Sequence, residues 1–220
     1  MALYQSLKLP LFTNPAKDAF YVLIYGASTA TGALAVQYCK LSGLKVVATC
    51  SPRNFDYVRS LGADAVFDYA SPTCAAEVKA YTNGSIKHAL DCVSEHDSSR
   101  ITIEAMNSQG GVYCNILGLE NDTTDIINPL IECRWILGYT GVGEYFVIGD
   151  DEYIANPENE QFAKEFWQLS YGLLATGSLK PHRYSVNKFG EGFGGILAGL
   201  EAMRQGQISG EKLVYTLNQS

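Results

Sequence analysis

Apolar residues along this chain come in short runs, and the runs alternate between two periods. Tyr21-Val22-Leu23-Ile24-Tyr25 is apolar almost without interruption, which predicts a strand buried on both faces. The period then changes. Across 31–41, Leu34, Ala35, Tyr38 and Leu41 share one helical face, and Gly43 ends the run as a left-handed C-cap would. The same alternation continues with strands at 45–50, 65–67, 88–93 and 112–117 and helices at 55–61, 74–82 and 98–106. A further strand is expected at 135–137, a polar acidic surface loop at 150–159, and helices at 160–176 and 192–204 around a short strand at 182–186. Residues 212–217 close the chain as a last strand. Strands alternating with helices predict an α/β fold, a Rossmann-type doubly wound parallel sheet. We read 1–19 as a leading helix and linker, 20–155 as the sheet domain and 156–220 as its C-terminal extension.

The junction of the first strand and helix, FYVLIYGASTATG at 20–32, is where such folds bind a dinucleotide pyrophosphate, because the helix N-terminus presents free N–H groups and a positive dipole end. The fingerprint is imperfect: the three usual glycine positions hold Ala27, Thr29 and Gly32. The end of the second strand, where the adenosine ribose is read, carries Ser51-Pro52-Arg53-Asn54 and no carboxylate. A hydroxyl and a planar cation suit a 2′-phosphate better than a bare ribose, so the expected cofactor is NADPH. Ser51 followed by Pro52 also reads as a plain helix cap with a solvated Arg53.

Composition narrows the rest. The 220 residues are 47% hydrophobic, enough for an ample core, and the net charge of −7 offers no basic footprint for nucleic acid. No apolar run reaches membrane-span length and the first residues lack a signal-peptide shape, so a soluble cytoplasmic protein is expected. Cys39, Cys50, Cys74, Cys92, Cys114 and Cys133 are well separated and read as reduced core thiols. His88, His96 and His182 are scattered, so no zinc site is expected.

Five segments carry a resemblance. Gly26-Ala27-Ser28-Thr29-Ala30-Thr31-Gly32, Thr49-Cys50-Ser51-Pro52-Arg53-Asn54, Val66-Phe67-Asp68-Tyr69, Ala89-Leu90-Asp91-Cys92 and Ser209-Gly210-Glu211-Lys212-Leu213-Val214 together resemble the zinc-free medium-chain dehydrogenase/reductases. They resemble most the trans-acting enoyl reductases that partner fungal polyketide synthases in secondary metabolism. The resemblance implies NADPH contacts at Gly26, Ser28, Thr29, Ala30, Thr31 and Gly32 for the pyrophosphate. It implies Ser51, Arg53, Asn54 and Tyr69 around the adenosine phosphate, and Ile116, Leu117, Val214 and Tyr215 by the nicotinamide half. It places a substrate path at Thr140, Gly141, Val142, Gly143 and Glu144.

Members of that family also begin with a separate catalytic domain that has no counterpart here. The resemblance thus implies a shortened member, with Met1 and an untagged C-terminus favouring a natural short form. The segments at 182–186 and 212–217 normally rejoin that domain, so unpaired strand edges and a homodimer or partner subunit are expected. Tyr139, Thr140, Glu144 and Tyr145 follow a strand end, where open α/β sheets bind ligands, and are the catalytic candidates. Each also has a plainer reading, as a packing tyrosine or a solvated loop carboxylate; Arg134 reads as a surface contact. Three functions stay open at this stage. The first is an NADPH-dependent enoyl reductase acting on a polyketide or other small-molecule substrate carried by a synthase. The others are a non-redox cyclase or isomerase of such an intermediate and a non-catalytic accessory module.

Overall fold

A computed structural model of the chain describes residues 1–95, 97–118 and 127–217; His96 lies outside them. Six parallel strands form the central sheet: β1 (Tyr21–Tyr25), β2 (Lys45–Cys50), β3 (Ala65–Asp68), β4 (His88–Asp91), β5 (Gly111–Asn115) and β6 (Ile131–Trp135). Their order is β3-β2-β1-β4-β5-β6, so the chain reverses direction across the sheet between β1 and β4. The crevice beyond the C-terminal ends of those two strands is where doubly wound sheets hold ligands.

The continuous apolar run of β1 follows from its central position. Val22 and Ile24 enter one core, with Val46, Ala48 and the helix α1 (Ala30–Leu41), while Leu23 and Tyr25 enter the other. On that second face pack α3 (Cys74–Tyr81) and α4 (Ser98–Ala105), through Cys74, Val78, Ile101 and Ile103. The short α2 (Phe55–Ser60) follows β2 and buries Val58. Burying such a side chain contributes about 1.5–3 kcal/mol, so a strand covered on both sides has no room for polar alternation.

Beyond the sheet the chain departs from several expectations. Residues 150–159 are not one loop. β7 (Phe146–Ile148) and β8 (Asp151–Tyr153) pair as an antiparallel hairpin around Gly149, and α5 (Pro157–Ala175) starts there. Asn156 caps it, its side chain accepting the Asn159 N–H at 2.9 Å. The sixth strand lies earlier than 135–137, in register with β5 from Ile131. The expected leading helix is a single π-type turn, Ala2–Ser6. A ring cluster of Tyr4, Phe12, Tyr38 and Phe166 joins that turn, α1 and α5. The last strand is not unpaired either: β10 (Lys212–Val214) runs parallel to β9 (Tyr184–Val186), with α6 (Gly192–Arg204) between them in sequence. Tyr184 and Val186 of β9 are nonetheless exposed.

Candidate active site

The turn after β1 is built around two glycines. Gly26 sits at φ +74°, and a Cβ there would lie 2.6 Å from the Val93 Cγ2 at the tip of β4. A Cβ on Gly32 would lie 2.3 Å from the Gly26 carbonyl oxygen, so α1 approaches the turn more closely than any side chain permits. Thr29, which stands where a central glycine is usual, turns inward: its hydroxyl accepts the Gly32 N–H at 3.0 Å and caps α1. Ala30 and Thr31 are exposed, and among the described residues their N–H groups have no acceptor. An anion arriving there meets free donors and the positive end of a 12-residue helix.

Beside this turn opens a cavity of about 770 Å³. It brings together Gly26, Ser28, Thr29, Ser51, Arg53 and Tyr69, from the tips of β1, β2 and β3. Ser51 does not cap the following helical turn; its hydroxyl donates to the Tyr69 hydroxyl at 3.3 Å. Arg53 is exposed on the one-turn helix Pro52–Asn54, and among the described residues its guanidinium has no carboxylate partner. Four further lining residues were not foreseen: Glu95 and Asp97 from the β4–α4 connection, and Arg100 and Glu104 from α4 itself. Arg100 is spoken for there. It donates to Asp97 at 3.2 Å and Glu104 at 3.0 Å, and these bonds raise its pKa. The cavity therefore sets the unpaired cation of Arg53 among carboxylates, beside the turn at which α1 begins. That polarity suits a nucleotide whose phosphates face Arg53 and whose hydroxyl and amino donors face the acids.

Ile208, Ser209 and Gly210 also line the cavity; Ser209 and Gly210 begin the last of the resembling segments, from which only Val214 was expected near the cofactor. Asn54 points away from the opening. It is buried, and its amide nitrogen donates to the Ser209 hydroxyl at 2.9 Å. Ile116, Leu117, Val214 and Tyr215 do not line this cavity. Ile116 packs against the core and its N–H donates to Ser94 Oγ at 3.0 Å, while Leu117 is 56% exposed just beyond β5. Val214 pairs in register with Val186, and the Tyr215 ring lies against Gly199 of α6.

The catalytic candidates stand elsewhere. Tyr139 and Glu144, with Val142, Tyr145, Phe146 and Ile148, line a separate apolar cavity of about 510 Å³. Tyr139 is 66% exposed. Thr140 donates to the Leu137 carbonyl at 2.8 Å and accepts from Asn159 at 2.8 Å, so its hydroxyl is used in holding the loop. Gly141 and Gly143 are packing positions: a Cβ at Gly141 would come within 3.2 Å of Ala163, and one at Gly143 within 2.5 Å of Glu160. Arg134 forms a two-pronged pair with Glu132 at 2.7 Å and reaches the Ser6 carbonyl.

Comparison with known proteins bears on the family and the fold. Residues 30–135 match the family described as zinc-binding dehydrogenase. A dual trans-enoyl reductase/FAD-dependent monooxygenase of Aspergillus terreus is 46% identical over 93% of this chain and 29% of its own length. A trans-enoyl reductase of Alternaria alternata is 42% identical over 99% of this chain and 61% of its own. Among solved structures, the CurK enoyl reductase superposes with a TM-score of 0.71 at 18% identity, covering 99% of this chain and 59% of that one. The chain thus spans about 60% of the trans-enoyl reductase it matches. The family's description implies a metal, but among the described residues no three His, Cys, Asp or Glu side chains converge to hold one.

Proposed function

On the premise that residues 30–135 are a zinc-binding dehydrogenase domain of the medium-chain dehydrogenase/reductases, we propose that the chain binds NADPH and acts as a trans-acting enoyl reductase on a polyketide thioester carried by a synthase. The observation that carries the cofactor choice is the unpaired Arg53 at the β2 tip, facing the cavity beside Ser51 with no carboxylate on that turn. A 2′-phosphate placed there gains a charge-assisted hydrogen bond, whereas an unphosphorylated ribose finds no acceptor at the β2 tip.

When bound, the nicotinamide supplies a hydride to the carbon β to a thioester carbonyl. The chain's own residues do the rest by holding and orienting. Gly26 and the free N–H groups of Ala30 and Thr31 would receive the pyrophosphate, and Ser28 and Thr29 would flank it. Ser51, Arg53 and Tyr69 would surround the 2′-phosphate. Ile116, Leu117, Val214 and Tyr215 are proposed for the nicotinamide half. The apolar cavity at 139–148 offers a path for an acyl chain. Tyr139 and Glu144 are proposed there as the groups that meet the thioester, with Thr140, Gly141 and Gly143 shaping the loop.

Calorimetric titration with NADPH and NADH tests the cofactor reading, and equal affinities overturn it. Offering an enoyl thioester while following NADPH absorbance and product mass tests the reaction. A product heavier by two hydrogens supports reduction, and an isomer of unchanged mass replaces it with a non-redox reading.

A further inference from the structure

The wall made by Ile208, Ser209 and Gly210 is tied to the β2 tip by a polar clamp. Asn54, buried, donates its amide N–H to the Ser209 hydroxyl at 2.9 Å, and its amide oxygen accepts from the Arg183 guanidinium. Arg183 also donates to the carbonyls of Ser209, at 3.1 Å, and Gly210, and its guanidinium lies 4.3 Å from the centre of the Tyr57 ring. Gly210 has φ +61°, and a Cβ there would lie 2.7 Å from Arg183 Nη2 and 2.8 Å from Asn54 Oδ1, so the clamp closes only on a glycine. Asn54 directly follows Arg53 in the turn Pro52–Asn54. One amide therefore grips both the 208–210 wall and the turn that presents the free cation.

Resting on the reading that Arg53 receives a 2′-phosphate, we propose that Asn54 and Arg183 are positioning residues for cofactor selectivity: by locking the Arg53 turn to the 208–210 wall they set the preference for a phosphorylated adenosine. Neither side chain lines the cavity. Their effect is pre-organisation, since a turn already fixed loses less freedom when its cation engages a phosphate. Arg183 suits the task because its fork spans two carbonyls and an amide oxygen at once, which a lysine ammonium on a flexible stem does not match.

The test measures, by calorimetry on the full chain, the affinity ratio for adenosine 2′,5′-bisphosphate over adenosine 5′-monophosphate. Arg183→Lys keeps the charge and loses the fork, and lowers the ratio roughly three- to tenfold, the scale expected when pre-organisation is lost. Ser209→Ala removes one strand of the clamp, lowers it less, and carries the test if Arg183→Lys fails to fold. In an Arg53→Ala background neither substitution changes the ratio further, because both act through Arg53. An unchanged ratio in both single variants overturns the clamp and leaves the phosphate reading standing, provided Arg53→Ala still abolishes the preference. A drop that persists undiminished without Arg53 makes the contact direct and also overturns it. A wild-type ratio near one removes both readings.

Discussion

The Tyr113 hydroxyl donates to the Asp91 carboxylate at 3.0 Å inside the sheet, where both residues are buried. Asp91 accepts three more hydrogen bonds, from the Val93 and Ser94 N–H groups at 2.9 and 2.8 Å and from the Ser98 hydroxyl at 2.6 Å. This carboxylate fixes the tip of β4, and so the Val93 side chain that faces Gly26. Burial, the charge of Asp91 and their hydrogen bond all push the Tyr113 pKa up, keeping it a donor. Tyr113→Phe leaves one carboxylate lone pair without its partner and should cost about 1–3 kcal/mol. Urea unfolding measures it, with the midpoint shifted and the slope unchanged.

Arg53→Ala should weaken NADPH by about 1–3 kcal/mol, the scale of a lost charge-assisted hydrogen bond, and leave NADH nearly unaffected. Because Arg53 is exposed, the NADPH advantage should also shrink as salt is raised. Titrations at two ionic strengths check both effects. A salt-independent preference for NADPH would contradict the assignment.

Gly26→Ala adds a methyl 2.6 Å from Val93 Cγ2 at a φ of +74°. The left-handed conformation alone costs about 1–2 kcal/mol for a residue with a Cβ, and the contact adds to it. Thermal unfolding should show the loss, accompanied by weakened nucleotide binding. Adding Val93→Ala relieves the contact but not the backbone strain, so the double variant should recover only part of the stability.

Stability should fall as the pH drops. His88 and His182 have their pKa values lowered, chiefly by burial and secondly by neighbouring cations, Lys87 and Arg134 for His88, Arg183 and Lys212 for His182. The unfolded chain, with histidines near 6.5, then binds protons that the folded chain does not. The stabilisation is complete above that value and is lost as pH descends from it toward the folded pKa values. His88 packs against Phe20 with the rings tilted by 43° and their centres 5.3 Å apart, and its Nδ1 is buried without a partner among the described residues. His88→Phe should therefore flatten the denaturant midpoint between pH 7.5 and 5. A slope identical to wild type would refute the role of His88.

The sheet was legible because its cause is local. Tyr21 to Tyr25 and Lys45 to Cys50 read as buried strands since both faces of each are covered, and the change of period at Gly26 marks the ligand turn. The hairpin of β7 and β8 was missed because Phe146 to Tyr153 mixes acids with exposed apolar residues and pairs only three positions a side. The expected unpaired C-terminal strand failed for a related reason: its partner, β9, lies 26 residues away behind α6.

Within the site, the residue types at 26–32 and 51–53 determined from sequence where an anion and a 2′-phosphate are expected, because charge and backbone freedom belong to each residue. Tertiary structure alone decided what each side chain does: Thr29 caps instead of facing out, Ser51 reaches Tyr69 rather than its own helix, and Asn54 turns inward to Ser209. It also brought Glu95, Arg100 and the 208–210 wall to the cavity. Those outcomes depend on packing between segments far apart in the chain, and a one-dimensional pattern records a residue's period but not its distant neighbours.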